Sequence, residues 1–259
     1  TFIRFLQRHK AYSINNILGL SIGMAAAVLV FLWILDELSF DSFHENYDHI
    51  YRIVTTMDNP EGDIHLTATA APLAEAFEES FPEIIETARF RPHYIEMLVA
   101  QGEQEFIEKE VAFADEEFFH LFTHSFLLGS DLDPFPDINS AVITEEFSQK
   151  YFGEKNPLGK TLKLNDETSI SISGVIENLP ANSHLHFGLL INFELIEEFG
   201  WSLDWENLSH NAYALLREDA DLVALKTQID TLTSELYSHG TYEFHLQALP
   251  EVHLRSSFD

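Results

Sequence analysis

One long apolar run interrupts the mixed patterns of the chain. The nineteen residues from Ile17 to Leu35 contain no ionisable group. An α-helix rises about 1.5 Å per residue, so this run would extend roughly 28 Å, close to the roughly 30 Å hydrocarbon core of a bilayer. The run predicts a transmembrane helix over residues 17–38, which includes Ile17, Gly19, Gly23, Trp33 and Leu35.

Small and aromatic residues within the run support a membrane span. Gly19, Gly23 and the alanines at 25–27 form a stripe of the kind that lets membrane helices approach closely. Trp33 lies near the far end, where indole favours the interface. A buried helix of a soluble protein would normally show a polar edge. A signal peptide would have a shorter apolar core, about 7–15 residues, followed by a small-residue cleavage site. The run has no polar edge, and it is longer than a signal-peptide core and is not followed by a small-residue cleavage site.

Charges on the two sides of the run predict its orientation. Arg4, Arg8 and Lys10 precede it, whereas acidic residues, beginning with Asp36 and Glu37, follow it. Basic flanks stay in the cytoplasm, so we expect the N-terminus inside and the rest of the chain outside. Residues 1–16 read as an interfacial amphipathic helix, in which the three basic residues anchor the cytoplasmic side.

Beyond residue 46 the pattern becomes that of a folded module. Alternating β-formers and apolar residues at helical spacing predict strands and helices, and a dense aromatic cluster at 118–127 is assigned to a short helix. Asn165 and Asp166 are expected to turn a hairpin that starts near Thr161. The predicted strands are 51–56, 87–91, 106–114, 212–216 and 243–249, and the predicted helices begin at Pro72, at the N-cap Thr144 and at the N-cap Asp221.

These elements predict an α+β fold with one N-terminal transmembrane helix and a two-lobed extracytoplasmic domain over residues 46–259. Discontinuous β-α-β elements form lobe one, about 47–113 and 207–255. An α+β lobe, about 114–206, is inserted between them. The chain begins with Thr, so we expect a fragment of a longer protein.

Charge and composition exclude several functions. Residues 1–35 carry three basic and no acidic residues, whereas residues 36–259 carry eleven basic and 43 acidic residues, a net charge of −32. Such a surface repels phosphate backbones, so nucleic-acid binding is excluded. The absence of cysteine excludes disulfides and thiol nucleophiles.

Candidate catalytic motifs fail on spacing. The stretch GEKNPLGKT at 153–161 has five residues between its glycines instead of four, includes a proline and precedes a strand, so it is interpreted as a turn and not a phosphate loop. The pairs His120/His124 and His184/His186 have spacings that could suit a metal, but packing or surface roles are favoured. No G-x-S-x-G motif is present. We therefore expect no catalytic, cofactor or metal site on this chain, which is not expected to be an enzyme.

Five stretches in order resemble MacB-type, FtsX-like ABC transporter permeases. They are NNILGLSIGMAAAVLVFLWILDELSFDSFHENYDHIYRI, FADEEFFHLFTHSFLLGS, AVITEEFSQKYFGEKNPLGKTLKLN, SGVIENLPANSHLHFGLLINF and LPEVHLRSSF. The resemblance covers nearly the whole chain and implies an N-terminal span followed by a two-lobed periplasmic core domain.

The resemblance also implies partners and location. It implies a cell inner membrane protein, surrounded by lipid, whose cytoplasmic partner is an ABC ATPase that moves the first helix and outer domain during export or efflux. It further implies later spans, a homo- or pseudo-dimer of permease halves, and a periplasmic partner or exported substrate. The residues alone leave two alternatives: a single-pass anchored sensor or ligand-binding module, and, with least support, an anchored hydrolase.

Overall fold

The computed structural model describes residues 10–93, 96–237, 242–254 and 256. The chain divides after Phe40 into two compact units, an N-terminal helix and a sheet-rich domain. In chain order the elements are α1 (Lys10–Glu37), β1 (Ile50–Met57), β2 (Ile64–Leu66), β3 (Thr69–Ala70), α2 (Pro72–Ser80), β4 (Ile84–Pro92), β5 (Met97–Gln101), β6 (Gln104–Glu108), β7 (Val111–Ala114), α3 (Phe118–Leu121), β8 (Phe126–Leu128), β9 (Ser140–Thr144), α4 (Glu145–Phe152), β10 (Thr161–Leu164), β11 (Thr168–Ile176), β12 (Leu189–Asn192), a 3₁₀ helix (Phe193–Phe199), β13 (Leu208–Leu216), α5 (Leu222–Leu236), β14 (Tyr242–Ala248) and α6 (Leu249–Val252).

Helix α1 is continuous across the predicted boundary between residues 16 and 17. The predicted interfacial helix, 1–16, therefore has no separate C-terminal end in the structure, and residues 1–9 lie outside the described residues. The reason is that no proline interrupts the sequence between Lys10 and Glu37. The helix ends at Glu37, one residue before the predicted end of the span.

Four strands at one end of the sheet and two helices form a β-α-β-β-α-β motif. Strand β1 lies between β14 and β13, and β13 pairs with β4, all antiparallel. Helices α2 and α5 connect β1 to β4 and β13 to β14, respectively. This confirms the expectation that elements from both ends of the domain come together in one lobe, because β1 binds strands near residue 212 and near residue 246.

The insert begins earlier than the predicted boundary at 113–114. Strand β5, which was not predicted, pairs with β10 of the insert and with β6. Strand β7 joins the two halves of the sheet, since it pairs with β4 on one side and β12 on the other. The full order is β14-β1-β13-β4-β7-β12-β9-β11-β10-β5-β6. The prediction grouped strands by sequence proximity, whereas β5 pairs on one side with the adjacent β6 and on the other with β10, where Leu164 lies opposite Val99, more than sixty residues away.

Three buried clusters fill the domain. One packs α2 and α5 against lobe one, with Ile53, Phe77 and Ile229 at its centre. A second fills the insert and includes Met97 of β5, which again places that strand with the insert. The third combines residues of both parts, among them Phe118, Phe122 and Tyr213. The predicted aromatic cluster is thus buried, but its helix α3 ends at Leu121, and residues 126–128 form strand β8.

Local sequence signals give the expected ends of several elements. The Thr144 hydroxyl accepts a hydrogen bond from the Phe147 amide at the start of α4, and the Asp221 carboxylate caps α5 in the same way. Asn165 and Asp166 both have positive φ, 47° and 60°, and the Glu167 amide donates to the Leu164 carbonyl at 3.0 Å, which closes the turn of the hairpin. These caps and the turn confirm the predictions.

Candidate functional site: the apolar helix and the junction segment

Helix α1 carries all the predicted span residues on an open surface. Residues 14–37 are long and apolar enough to cross a membrane, and none of their most apolar stretch is buried. Ile17, Trp33 and Leu35 expose 57%, 61% and 48% of their surfaces. A side-chain carbon placed on Gly19 or Gly23 would meet no other atom within 4 Å. So large an apolar surface requires a non-aqueous environment, which lipid provides.

The predicted cytoplasmic anchors fall at the edge of the described chain. Lys10 is the first residue of α1, whereas Arg4 and Arg8 lie outside the described residues. Their anchoring role therefore stays a prediction.

The chain after α1 is held by hydrogen bonds to distant parts of the domain. We define residues 41–49 as the junction segment, a series of turns between α1 and β1. The Glu45 amide donates to the Thr123 hydroxyl at 2.8 Å, and the Asn46 side-chain amide donates to the His120 carbonyl at 3.1 Å. Because these partners belong to the insert, the junction segment is fixed on the domain before β1 begins.

Asp41 is the centre of this attachment. Its backbone amide donates to the Asn182 carbonyl at 2.8 Å. Its carboxylate oxygen Oδ1 accepts from the His184 amide at 3.0 Å and from the Ser183 hydroxyl at 3.2 Å. Asp41 is almost completely buried and has a left-handed φ of 58°, a conformation that Asp tolerates better than most residues. Its position is thus fixed from both backbone and side chain.

Two histidines surround the Asp41 carboxylate. His184 Nδ1 lies 2.9 Å from Asp41 Oδ2, and the other ring nitrogen, Nε2, is 2.9 Å from the Tyr213 hydroxyl. His44 Nδ1 accepts a hydrogen bond from the Thr123 amide, which leaves Nε2 as the protonated nitrogen of the neutral ring, 3.9 Å from Asp41 Oδ1. The network thereby connects the junction segment, the insert and strand β13.

The electrostatics of the network favour a charged Asp41 and neutral rings at His44 and His124. Burial alone would raise the pKa of Asp41, but hydrogen bonds and electrostatic attraction from His184 outweigh it, and the pKa lies below its usual value. Burial lowers the pKa of His44 to about 3, helped by the charge of His124 and opposed by Asp41. Burial also lowers the pKa of His124 to about 4. Both rings are therefore neutral near pH 7.

The two histidine pairs considered as metal ligands do not converge. His120 pairs with Glu86 at 3.0 Å, whereas His124 lies beyond the end of α3 and contacts the Phe122 carbonyl at 2.8 Å. His184 points to Asp41, whereas His186 is exposed. No group of three potential ligands able to hold a metal ion occurs among the described residues. The GEKNPLGKT stretch forms the expected turn between α4 and β10.

A cleft of about 630 Å³ in the domain is strongly acidic. Arg89 is held there by Asp115 through two side-chain hydrogen bonds of 2.8 Å each. Burial raises the pKa of Glu117, and the neighbouring carboxylates of Asp115 and Glu116 add to the effect. Other carboxylates of the cleft are Glu75, Glu78, Glu79, Glu116, Asp137 and Glu194.

Sequence reasoning missed the junction network. His184 was considered only as half of a histidine pair, and Asp41 only as one acidic residue after the span. The available signal was the density of polar residues among aromatics in FDSFHENYDH, directly after an apolar run. Nothing local, however, pairs Asp41 with a residue 143 positions away.

Replacing Asp41 tests whether the network holds the junction. Asp41→Ala removes the acceptor of two buried donors, at about 1–3 kcal/mol each, and places a less tolerant residue at positive φ. We expect a loss of about 2–5 kcal/mol in the free energy of unfolding, measured by denaturant titration in detergent. Asp41→Asn keeps the Oδ1 acceptor and is expected to lose less. Asp48→Ala, at an exposed position of the same segment, is the control and is expected to change stability by less than about 0.5 kcal/mol. Equal effects of Asp41→Ala and Asp48→Ala would contradict the assignment.

Stability is expected to depend on pH through the buried histidines. Histidines in the unfolded chain bind protons below about pH 6.5, whereas His44 and His124 in the folded domain do so only near pH 3 and 4. The unfolded state therefore takes up more protons, and stability falls as the pH falls from 6.5 to about 4.

His44→Asn offers an acceptor in place of Nδ1 but cannot titrate. It is expected to lower the slope of unfolding free energy against pH in this range by about 1.4 kcal/mol per pH unit. Exposed His186→Asn is the control and should leave the slope unchanged. An unchanged slope in His44→Asn would show that His44 does not carry the effect.

Comparison with solved structures shows relatives of the same architecture. A domain of an assigned permease protein from Porphyromonas gingivalis superposes with a TM-score of 0.66 and 21% identity, covering 79% of this chain and 91% of that chain. The periplasmic region of MacB from Actinobacillus actinomycetemcomitans superposes with a TM-score of 0.58 and 16% sequence identity. The match covers 80% of this chain and 91% of that chain. The extracellular domain of the noncanonic ABC-type transporter YknZ from Gram-positive bacteria superposes with a TM-score of 0.54 and 13% sequence identity. The match covers 76% of this chain and 99% of that chain. At these identities the likeness establishes the fold.

Sequence comparison establishes the family. No curated protein is a significant sequence match to the chain. The model of the MacB-like periplasmic core domain matches residues 13–232, which is most of the chain and includes the greater part of α1. The apolar helix and the domain thus fit a membrane-anchored protein with an extracytoplasmic domain, and the resemblance seen in the sequence is confirmed. The chain belongs to the MacB-like periplasmic core domain family of ABC transporter permeases.

Proposed function

We propose that the chain is the first span and outer domain of a permease that couples ATP hydrolysis by a cytoplasmic partner ATPase to movement of the outer domain, for export or efflux. The family match over residues 13–232 is the observation that carries this proposal. In this reading ATP is hydrolysed on the partner subunit, and this chain binds no nucleotide.

The proposed location is the cell inner membrane, with the N-terminus in the cytoplasm. The three basic residues before the apolar run Ile17–Leu35 and the 43 acidic residues after it support this orientation, because basic flanks are retained on the cytoplasmic side. The stripe of Gly19 and Gly23 would face neighbouring spans, from a second half of the permease or from later spans of the same half.

The junction segment suits the transfer of movement. Three residues separate the end of α1 at Glu37 from Asp41, where the buried network begins. A displacement of α1 would reach the domain through a segment fixed to the insert at Asn182 and to Thr123, and not through a flexible linker. An anchored sensor, the alternative that the residues left open, would have no need of an ATPase.

The glycine stripe gives a test of coupling. The complete permease, reconstituted with its ATPase in liposomes, is expected to raise the ATPase rate. Gly19→Leu combined with Gly23→Leu keeps the span apolar but fills the stripe, and the stimulation is expected to fall about tenfold, since contacts between membrane helices contribute about 1–2 kcal/mol.

Val28→Leu combined with Val30→Leu changes the same helix without changing the stripe and is the control. A permease that leaves the ATPase rate unchanged would contradict the transport proposal and favour the sensor.

A further inference from the structure

The lysines of the acidic domain are concentrated in one stretch of the sequence. Beyond residue 35 the chain has six lysines, and five of them lie between residues 109 and 163. Three of these five face a carboxylate: Lys109 faces Glu96 at 3.1 Å, Lys150 faces Glu108 at 2.7 Å and Lys163 faces Asp166 at 3.8 Å. The other two, Lys155 and Lys160, have no carboxylate within ion-pair distance among the described residues.

Both unpaired lysines line the same cleft, which we call the lysine cleft. It has a volume of about 520 Å³, and none of its nine lining residues is acidic. Besides Lys155 and Lys160, three glutamines contribute side-chain amides, Gln101, Gln104 and Gln149. None of these amides makes a hydrogen bond to another described residue. The acidic cleft is lined by many carboxylates, whereas the lysine cleft is lined by none, so charge is distributed unevenly over the surface of the domain.

The turn that carries the lysines is fixed in shape. Gly153 and Gly159 have positive φ, 59° and 69°, and mark its two ends. The Gly159 amide donates to the Ile172 carbonyl at 2.8 Å, and the Ile172 amide donates to the Lys160 carbonyl at 3.0 Å. Pro157 is buried. The backbone at both lysines is therefore ordered before any ligand arrives, which lowers the entropic cost of binding.

Two ammonium groups and several amide donors suit an anion with many oxygens. Lysine binds phosphate as a point charge with three donors, and amide N–H groups bind the remaining oxygens. At physiological salt the Debye length is about 8 Å, so most acidic residues outside the lysine cleft are screened from a ligand inside it. The volume exceeds that of a single phosphate and leaves room for the group to which the phosphate is attached.

We propose that the lysine cleft is a binding site for a phosphorylated ligand, with Lys155 and Lys160 as its charged contacts. The phosphate belongs either to a soluble molecule or to a lipid headgroup. The turn previously rejected as a nucleotide loop contributes both lysines, but through side chains at its two ends and not through backbone amides that surround a phosphate.

Affinity for pyrophosphate tests the proposal with the full chain in phosphatidylcholine nanodiscs. Calorimetric titration is expected to show saturable binding. Lys155→Gln and Lys160→Gln are each expected to weaken it about tenfold, as loss of a charged hydrogen bond does. Lys226→Gln removes the same charge from an exposed lysine outside the cleft and should leave the affinity unchanged. The substituted side chains are exposed, so unchanged melting temperatures will show that the variants are folded.

A second measurement locates the binding site and shows whether its phosphate ligand is a soluble molecule or a lipid headgroup. Acylation of lysines, followed by mass spectrometry, should show protection of Lys155 and Lys160, but not Lys226, when pyrophosphate is added. Protection by phosphatidylglycerol vesicles and not by pyrophosphate would identify a lipid headgroup as the source. Absence of binding and protection with both probes, or equal weakening by Lys226→Gln, would overturn the proposal.

Discussion

The structure depends on one constraint, which is that helix α1 presents an apolar surface that water cannot solvate favourably. Nineteen consecutive residues without an ionisable group form a helix whose side chains are about half exposed or more. Burial of apolar surface contributes about 25 cal/mol per Å², so a helix of this kind partitions strongly into lipid. The domain that follows begins at Asp41 with a buried polar network.

That network differs in kind from the rest of the domain. Most of the fold is held by apolar clusters and by strand pairing, whereas Asp41, His44 and His184 are polar groups enclosed by aromatic side chains such as Phe122. A buried carboxylate is costly unless it is bonded; at Asp41 the Ser183 hydroxyl and the His184 amide donate to Oδ1, and His184 Nδ1 lies 2.9 Å from Oδ2. A buried network of this kind fixes the positions of its members more than it adds net stability.

Local features were predictable from the sequence, and long-range pairings were not. The run of Ile17–Leu35, the Asp221 cap and the Asn165–Asp166 turn are each encoded within a few residues, and the structure shows them where they were expected. Strand β5 was missed because MLVAQ is short; it forms a hairpin with β6, and its second partner, β10, lies about sixty residues later. Of the candidate site, only the apolar helix was predicted from the sequence. The Asp41–His184 contact was not, because it forms only when the insert is folded. The resemblance to the family predicted the two-lobed architecture, which hydrophobic periodicity alone could not predict.

Sidedness of the membrane span tests the account most directly. The chain has no cysteine, so single cysteines report position without background. Gln7→Cys lies before the span and Glu218→Cys lies at an exposed position of the domain. In intact spheroplasts treated with a membrane-impermeant maleimide, the account predicts labelling of Glu218→Cys at once and of Gln7→Cys only after permeabilisation. Labelling of both positions in intact spheroplasts, or of Gln7→Cys alone, would contradict it.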